Sequence, residues 1–250
     1  MWTRSAFYLA LSVLFSLAET SYPARAQSPS CTDQWLAQRR SLPLAQRYET
    51  KRADAFGKQC LGITAKKPIN WPAVRQDLDQ LIKSEDPLNS TIPNDIAAFC
   101  PPYGTASPAK RAVFWRELLY QVIKPEAGNN ANAFMWEQPV DHKGHPLDQG
   151  EYSIGLLQLS VSNRHPYGCD IPDEKSLLDP HLNLACGVKI ASYLVGHAGM
   201  IGGDAAHGRR GLGAYWATIR VPSAKPARDH GSETRAPIIK AVRQLAVCKS

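Results

Sequence analysis

The chain is 250 residues long, carries a formal charge of +7 at pH 7 and contains six cysteines. The positive balance suits an anionic partner such as a cell-wall polymer or a membrane surface. Nucleic acid is disfavoured because no dense Lys/Arg run carries interleaved aromatics, and the absence of any Cys-x-x-Cys pair argues against a structural metal.

At the N-terminus, Arg4 precedes an apolar run from Ala6 to Phe15, and the small-x-small triplet Ala24-Arg25-Ala26 follows. That is the layout of a secretory signal peptide over residues 1–26, with cleavage expected before Gln27 and a weaker alternative after Ala18. The run is well short of the ~20 residues a spanning helix needs. Cys31 does not directly follow a cleavage site, so no stable membrane anchor is expected after cleavage, and the mature protein is expected to be periplasmic or secreted. Cleavage would remove Arg4, Arg25 and Glu19, leaving a net charge one lower. Cys31, Cys60, Cys100, Cys169, Cys186 and Cys248 all survive it, and an even count in an exported chain points to disulfides. Six cysteines allow about 15 connectivities. The favoured set is Cys31–Cys60, Cys100–Cys248 and Cys169–Cys186, the last closing a short loop.

Residues 27–100 read as an N-terminal extension of helices and loops that packs on the main domain. Trp71 to Lys83 carries Val74, Leu78, Leu81 and Ile82 at helical spacing. The remainder, 101–250, forms the main domain. Ser107-Pro108 provides an N-cap followed by Pro at the first helical position. Trp115, Leu118, Leu119, Val122 and Ile123 then make an i, i+3, i+4, i+7, i+8 stripe. Pro125 interrupts it, which puts Glu126 at the helix's C-terminal end or just past a kink. A polar stretch to Tyr152 holds four acids, Glu137, Asp141, Asp148 and Glu151. Asp179-Pro180 opens another helix whose apolar side is expected at Leu182, Ala185, Cys186, Ile190, Tyr193 and Leu194, with Gly196 and Gly199 stopping it. A Gly-rich loop runs from Gly199 to Gly213, a short helix from Leu212 to Ile219, an exposed loop from Val221 to Pro237, and a last helix from Ile238 to Val247. Strand signals are scarce, so the architecture is expected to be mainly α.

Glycan cleavage needs a carboxylic acid beside the glycosidic oxygen, kept protonated by a sheltered setting. Glu126, following a buried apolar helix, fits that need. Three further blocks follow it: Ser153-Ile154-Gly155-Leu156-Leu157-Gln158, then Asn183-Leu184-Ala185-Cys186-Gly187, then Gly213-Ala214-Tyr215-Trp216. With these four blocks in order between Phe114 and Arg220, the chain resembles the soluble lytic transglycosylases, whose catalytic domain is lysozyme-like (α+β) and related to goose-type lysozyme. The resemblance implies that Glu126 is the catalytic glutamate. It implies that Ser153, Gly155 and Gln158 line the cleft, Asn183 supports its floor, and Tyr215 lies near the glutamate. Leu156, Leu157 and Leu159 read as core, whereas Tyr152 and Trp216 fit either core or sugar-stacking positions. The sequence departs from the family in having Ala127 where Ser is usual and Pro125 directly before the glutamate.

What the resemblance implies for mechanism is a single carboxyl group and no metal or organic cofactor. Glu126 would protonate the leaving oxygen of the MurNAc-GlcNAc β-1,4 bond in peptidoglycan, then take the proton of the muramic acid 6-hydroxyl to leave a 1,6-anhydro end. The nearest rival is a lysozyme-type muramidase, which needs a second carboxylate to direct water. Ser160 stands where goose-type relatives have an Asp, so that role would fall to another acid, such as Asp148 or Glu151. The rival from another class is a non-catalytic cell-wall-binding or envelope-assembly protein on the same scaffold, with unknown assembly partners.

Overall fold

The apolar stripe around Trp115 becomes the central helix of the molecule. In a computed structural model, which describes residues 29–203, 209–222 and 231–249, nine α-helices surround one small sheet. They are α1 (Cys31–Arg40), α2 (Leu44–Arg47), α3 (Thr50–Cys60), α4 (Trp71–Lys83), α5 (Asp86–Ser90), α6 (Ile96–Phe99), α7 (Pro108–Ala127), α8 (Pro180–Ala198) and α9 (Gly231–Val242). The expected signal peptide lies outside the described residues, as do parts of the Gly199–Gly213 and Val221–Pro237 loops. The architecture is mainly α and lysozyme-like, as expected.

α7 is buried along Phe114, Trp115, Leu118, Leu119, Val122 and Ile123. It packs against α4, α5 and α9, and α4 also lies on α8. Pro125 does not break it. Proline costs one backbone bond and a close carbonyl contact, and here that cost falls in the last turn, just before Gly128 takes a left-handed cap with φ 54°. Glu126 therefore sits on the final helical turn. The helix Trp71–Lys83 has the expected bounds, and Asn70 caps it by accepting from the Ala73 N–H at 3.3 Å.

α8 opens as expected, with the Asp179 carboxylate accepting from the Leu182 N–H at 2.9 Å. Its buried face differs from the expected one. Asn183, Leu184, Gly187, Val188, Ala191 and Val195 are buried along with Cys186 and Ile190, whereas Tyr193 is exposed. A helix covered on several sides has no single apolar stripe to read. It also passes through Gly196 and stops only at the left-handed Gly199. The expected helix Leu212–Ile219 is instead two 3-10 turns, Gly211–Ala214 and Ala217–Ile219. The last helix starts and ends earlier than expected, with Pro237 inside it.

The polar stretch after Glu126 contains what the sequence hid. β1 (Phe134–Glu137) pairs antiparallel with β2 (Glu151–Ile154), in the register Phe134↔Ile154, Met135↔Ser153, Trp136↔Tyr152 and Glu137↔Glu151. By the two-residue alternation of a strand, Trp136, Tyr152 and Ile154 turn into the core, where all three are buried. Met135, Glu137, Glu151 and Ser153 share the other face. All three favoured disulfides form: Cys31–Cys60, Cys100–Cys248 and Cys169–Cys186. Among the described residues no helix is long and apolar enough to cross a membrane. Three disulfides fit an oxidising extracellular or periplasmic setting.

Candidate active site

Glu126 lies half-buried at the C-terminal end of α7. The segment beyond it is pinned down: the Trp71 indole donates to Asn129 Oδ1 at 3.2 Å, and Ala131 N–H donates to the Lys67 carbonyl at 2.7 Å. Burial pushes the Glu126 carboxyl up to about 7 from an ordinary 4.5. A hydrogen bond from the Thr218 hydroxyl, 2.7 Å from Oε1, pulls the other way, and the negative charge of Glu137 adds to the rise. Desolvation disfavours the charged form of a carboxyl, and a like charge does so too. The outcome is an acid that still holds its proton near neutrality.

Thr218 and Glu137 carry no resemblance-derived role. Thr218 supplies a hydroxyl to the carboxyl from the 3-10 turn Ala217–Ile219, although the position after the glutamate is Ala127. Thr218 is itself tied to α9, since its carbonyl accepts from the Thr234 hydroxyl at 3.0 Å. Glu137 is exposed at the end of β1. Its Oε1 accepts from the Ser153 hydroxyl at 3.1 Å. The sheet thus brings a second carboxylate within electrostatic reach of the first.

Of the other resemblance-derived residues, Ser153 meets Glu137, and the rest hold the turn that follows β2. Asn183 is fully buried and ties the Ser153–Gln158 block to α8: Oδ1 accepts from the Leu157 N–H at 2.9 Å, while Nδ2 donates to the Ile154 and Leu177 carbonyls at 2.9 and 3.0 Å. Gly155 has φ 80°, and a Cβ there would run into the Asn183 amide and the Leu177 carbonyl, so only glycine fits. Gln158 takes a left-handed φ of 48°, and its amide donates at 2.7 Å to the Gly155 carbonyl, within its own turn. The Tyr215 hydroxyl donates to Asn163 Oδ1 at 2.7 Å, so it braces the end of that block. Tyr152 and Trp216 resolve as core residues, their polar ends donating to the Ala53 and Leu157 carbonyls.

The two acids considered earlier as second carboxylates have other company. Asp148 pairs with Arg39 at 3.0 Å and with Arg40 at 3.7 Å. Glu151 stands opposite Glu137 in the sheet register. Glu137 has a modest sequence signal of its own, being the first acid after Glu126 and the end of the alternating run Phe134-Met135-Trp136-Glu137. Among the described residues, no three or more His, Cys, Asp or Glu side chains gather as a metal site.

Fold and site together define a mainly helical lysozyme-like domain with a sheltered glutamate at a helix end and a second carboxylate, on a hairpin, within its electrostatic reach. Among solved structures, the chain is similar to Bd0314 DslA from Bdellovibrio. The wild-type form matches with a TM-score of 0.59 and 27% identity, over 71% of this chain and 92% of that one. Two variants of DslA, each with one glutamate changed to glutamine, match at TM-scores of 0.59 and 0.58, with 26% and 28% identity over the same shares. No family model and no curated protein matches the chain.

Proposed function

We propose that this protein is an exported enzyme that cleaves the β-1,4 bonds of peptidoglycan glycan strands, with Glu126 as the proton donor. The observation that carries this reading is the Glu126 carboxyl itself, pushed up to about 7 by burial at the C-terminal end of α7. Near neutral pH about half of such a group is protonated, the balance general acid catalysis needs. Glu126 would hand its proton to the glycosidic oxygen as the bond to the anomeric carbon breaks. The basic charge of the chain favours an anionic polymer.

For the second half of the reaction, Glu137 supports hydrolysis. An exposed carboxylate aligned by Ser153 and close enough to act electrostatically on Glu126 is what a muramidase needs to take a proton from attacking water. The two glutamates altered in the DslA variants stand eleven positions apart, the same spacing as Glu126 and Glu137. A lytic transglycosylase is the second reading, favoured by the four-block resemblance. There, Glu126 itself would take the muramyl 6-hydroxyl proton and no water would enter. A digest of purified peptidoglycan in oxygen-18 water separates the two. Labelled reducing ends are expected, and unlabelled 1,6-anhydro ends would establish the transglycosylase instead. Glu126→Gln should abolish cleavage while keeping glycan binding, and persistent cleavage by that variant would sink both readings. Intact glycan from oxidised, folded wild-type protein would support a non-catalytic wall-binding role.

A further inference from the structure

Glu137 has Trp136 before it and Gln138 after it, and the N-terminal helices hold both. The Trp136 N–H donates to the Asp54 carboxylate of α3 at 3.2 Å. On the other side, Arg39 of α1, buried with none of its surface exposed, donates from Nη1 to Gln138 Oε1 at 3.0 Å. Its Nη2 reaches the far end of the same loop, with Asp148 Oδ1 at 3.0 Å and the Leu147 and Gln149 carbonyls at 3.3 and 3.4 Å. The guanidinium also lies 5.5 Å from the Trp136 ring centroid. The Trp136 indole completes the knot by donating to the same Gln138 oxygen at 3.1 Å. Cys31–Cys60 joins the start of α1 to the end of α3.

We propose that Arg39 is a positioning residue for the reaction: it closes the Gln138–Gly150 loop at both ends and so fixes Glu137 within electrostatic reach of Glu126. The proposal rests on the reading that Glu137 directs water. A buried cation is a weak way to stabilise a fold, since desolvation offsets most of its attraction and a well-packed apolar residue often serves as well. What the guanidinium supplies that an apolar side chain does not is direction. Its planar fork reaches acceptors on both ends of one loop at once. Fixing that loop fixes the carboxylate that must align a water molecule, and a misplacement of about 1 Å can cost ~100-fold in rate.

The test is a double-mutant cycle in the full oxidised chain between Arg39→Met and Glu137→Gln, read as kcat and KM on purified peptidoglycan. Arg39→Met should lower kcat by about 10- to 100-fold with little change in KM. In the Glu137→Gln background it should cost almost nothing further, because the group it positions is gone. Arg39→Lys should restore part of the loss. Circular dichroism and thermal melting establish that each variant folds. If folded Arg39→Met keeps wild-type kcat while Glu137→Gln is inactive, Arg39 does not position the site, and the hydrolytic reading survives. An additive loss in the double variant would likewise reduce Arg39 to a structural role. Full activity of Glu137→Gln would overturn the hydrolytic reading, and the Arg39 proposal with it.

Discussion

Glu126→Gln should make the protein more stable in alkaline solution and leave it nearly unchanged in acid. The native carboxyl is raised to about 7 from 4.5, chiefly by burial. Between those pH values the folded chain keeps a proton that the unfolded chain has lost, so stability falls as pH rises from about 4.5 and the full penalty is present above about 7. The gap corresponds to about 3 kcal/mol, and solvent access to a half-buried side chain brings it to about 2. Glutamine has the same shape and carries no charge to desolvate, and its Oε1 can still accept from Thr218. In a chain of this size about 2 kcal/mol moves Tm by ~4–8 °C. Thermal melts of oxidised wild type and variant at pH 4.5 and pH 8 measure the difference. An equal gain at both pH values, or none at pH 8, would refute the claim that burial of this carboxyl is what raises it.

Thr218→Val removes the hydroxyl that holds Glu126 down, so the alkaline limb of the pH–rate profile should move upward by about one pH unit, equivalent to ~1.4 kcal/mol. A limb that stays in place would show that the hydroxyl does not tune the acid. Asn183→Ala strands the Leu157 N–H and the Ile154 and Leu177 carbonyls in a buried site, and should cost about 3 kcal/mol or more in urea denaturation. A loss below about 1 kcal/mol would mean the loop satisfies those groups some other way.

The parts of this molecule that could be read from sequence are those set by local pattern. α4 and α7 announce themselves because their apolar residues recur at helical spacing behind a clear start, Asn70 for α4 and Ser107-Pro108 for α7. α8, enclosed on several sides, gave away its start through Asp179 but not its face. The even cysteine count pointed to three disulfides but left about 15 connectivities open, and only the fold brings the three pairs together. Asn183 was found by block resemblance, and its three hydrogen bonds give that position a physical reason. Thr218 was missed because nothing marks it locally, and Glu137 stood only as one of four acids after Glu126, with a weak signal of its own. A four-residue strand is too short for its alternation to stand out in a polar stretch, and its carboxylate reaches Glu126 only when the hairpin closes. Thr218 sits in a segment whose composition suggests one helix, and its break into two 3-10 turns presents the hydroxyl to Glu126. Arg39 is hidden for the opposite reason: in an Arg39-Arg40 pair on a short helix nothing marks one cation for full burial.

The four acids after Glu126 have separate fates, and the pattern bears on function. Asp141 accepts the N–H groups of Lys143 and His145 at 2.8 and 2.9 Å, closing its own turn. Asp148 is bound by Arg39 and Arg40. Both therefore help to shape the loop. Glu137 and Glu151 face each other in an antiparallel register, an arrangement in which like charges repel, and Glu137 also raises the cost of ionising Glu126. The Ser153 hydroxyl donates to Glu137 and, one residue further along, the buried Arg39 guanidinium donates to Gln138. The hairpin thus keeps Glu137 within electrostatic reach of Glu126 while the loop that follows it is tied to α1, and that placement is what the proposed hydrolytic reading uses.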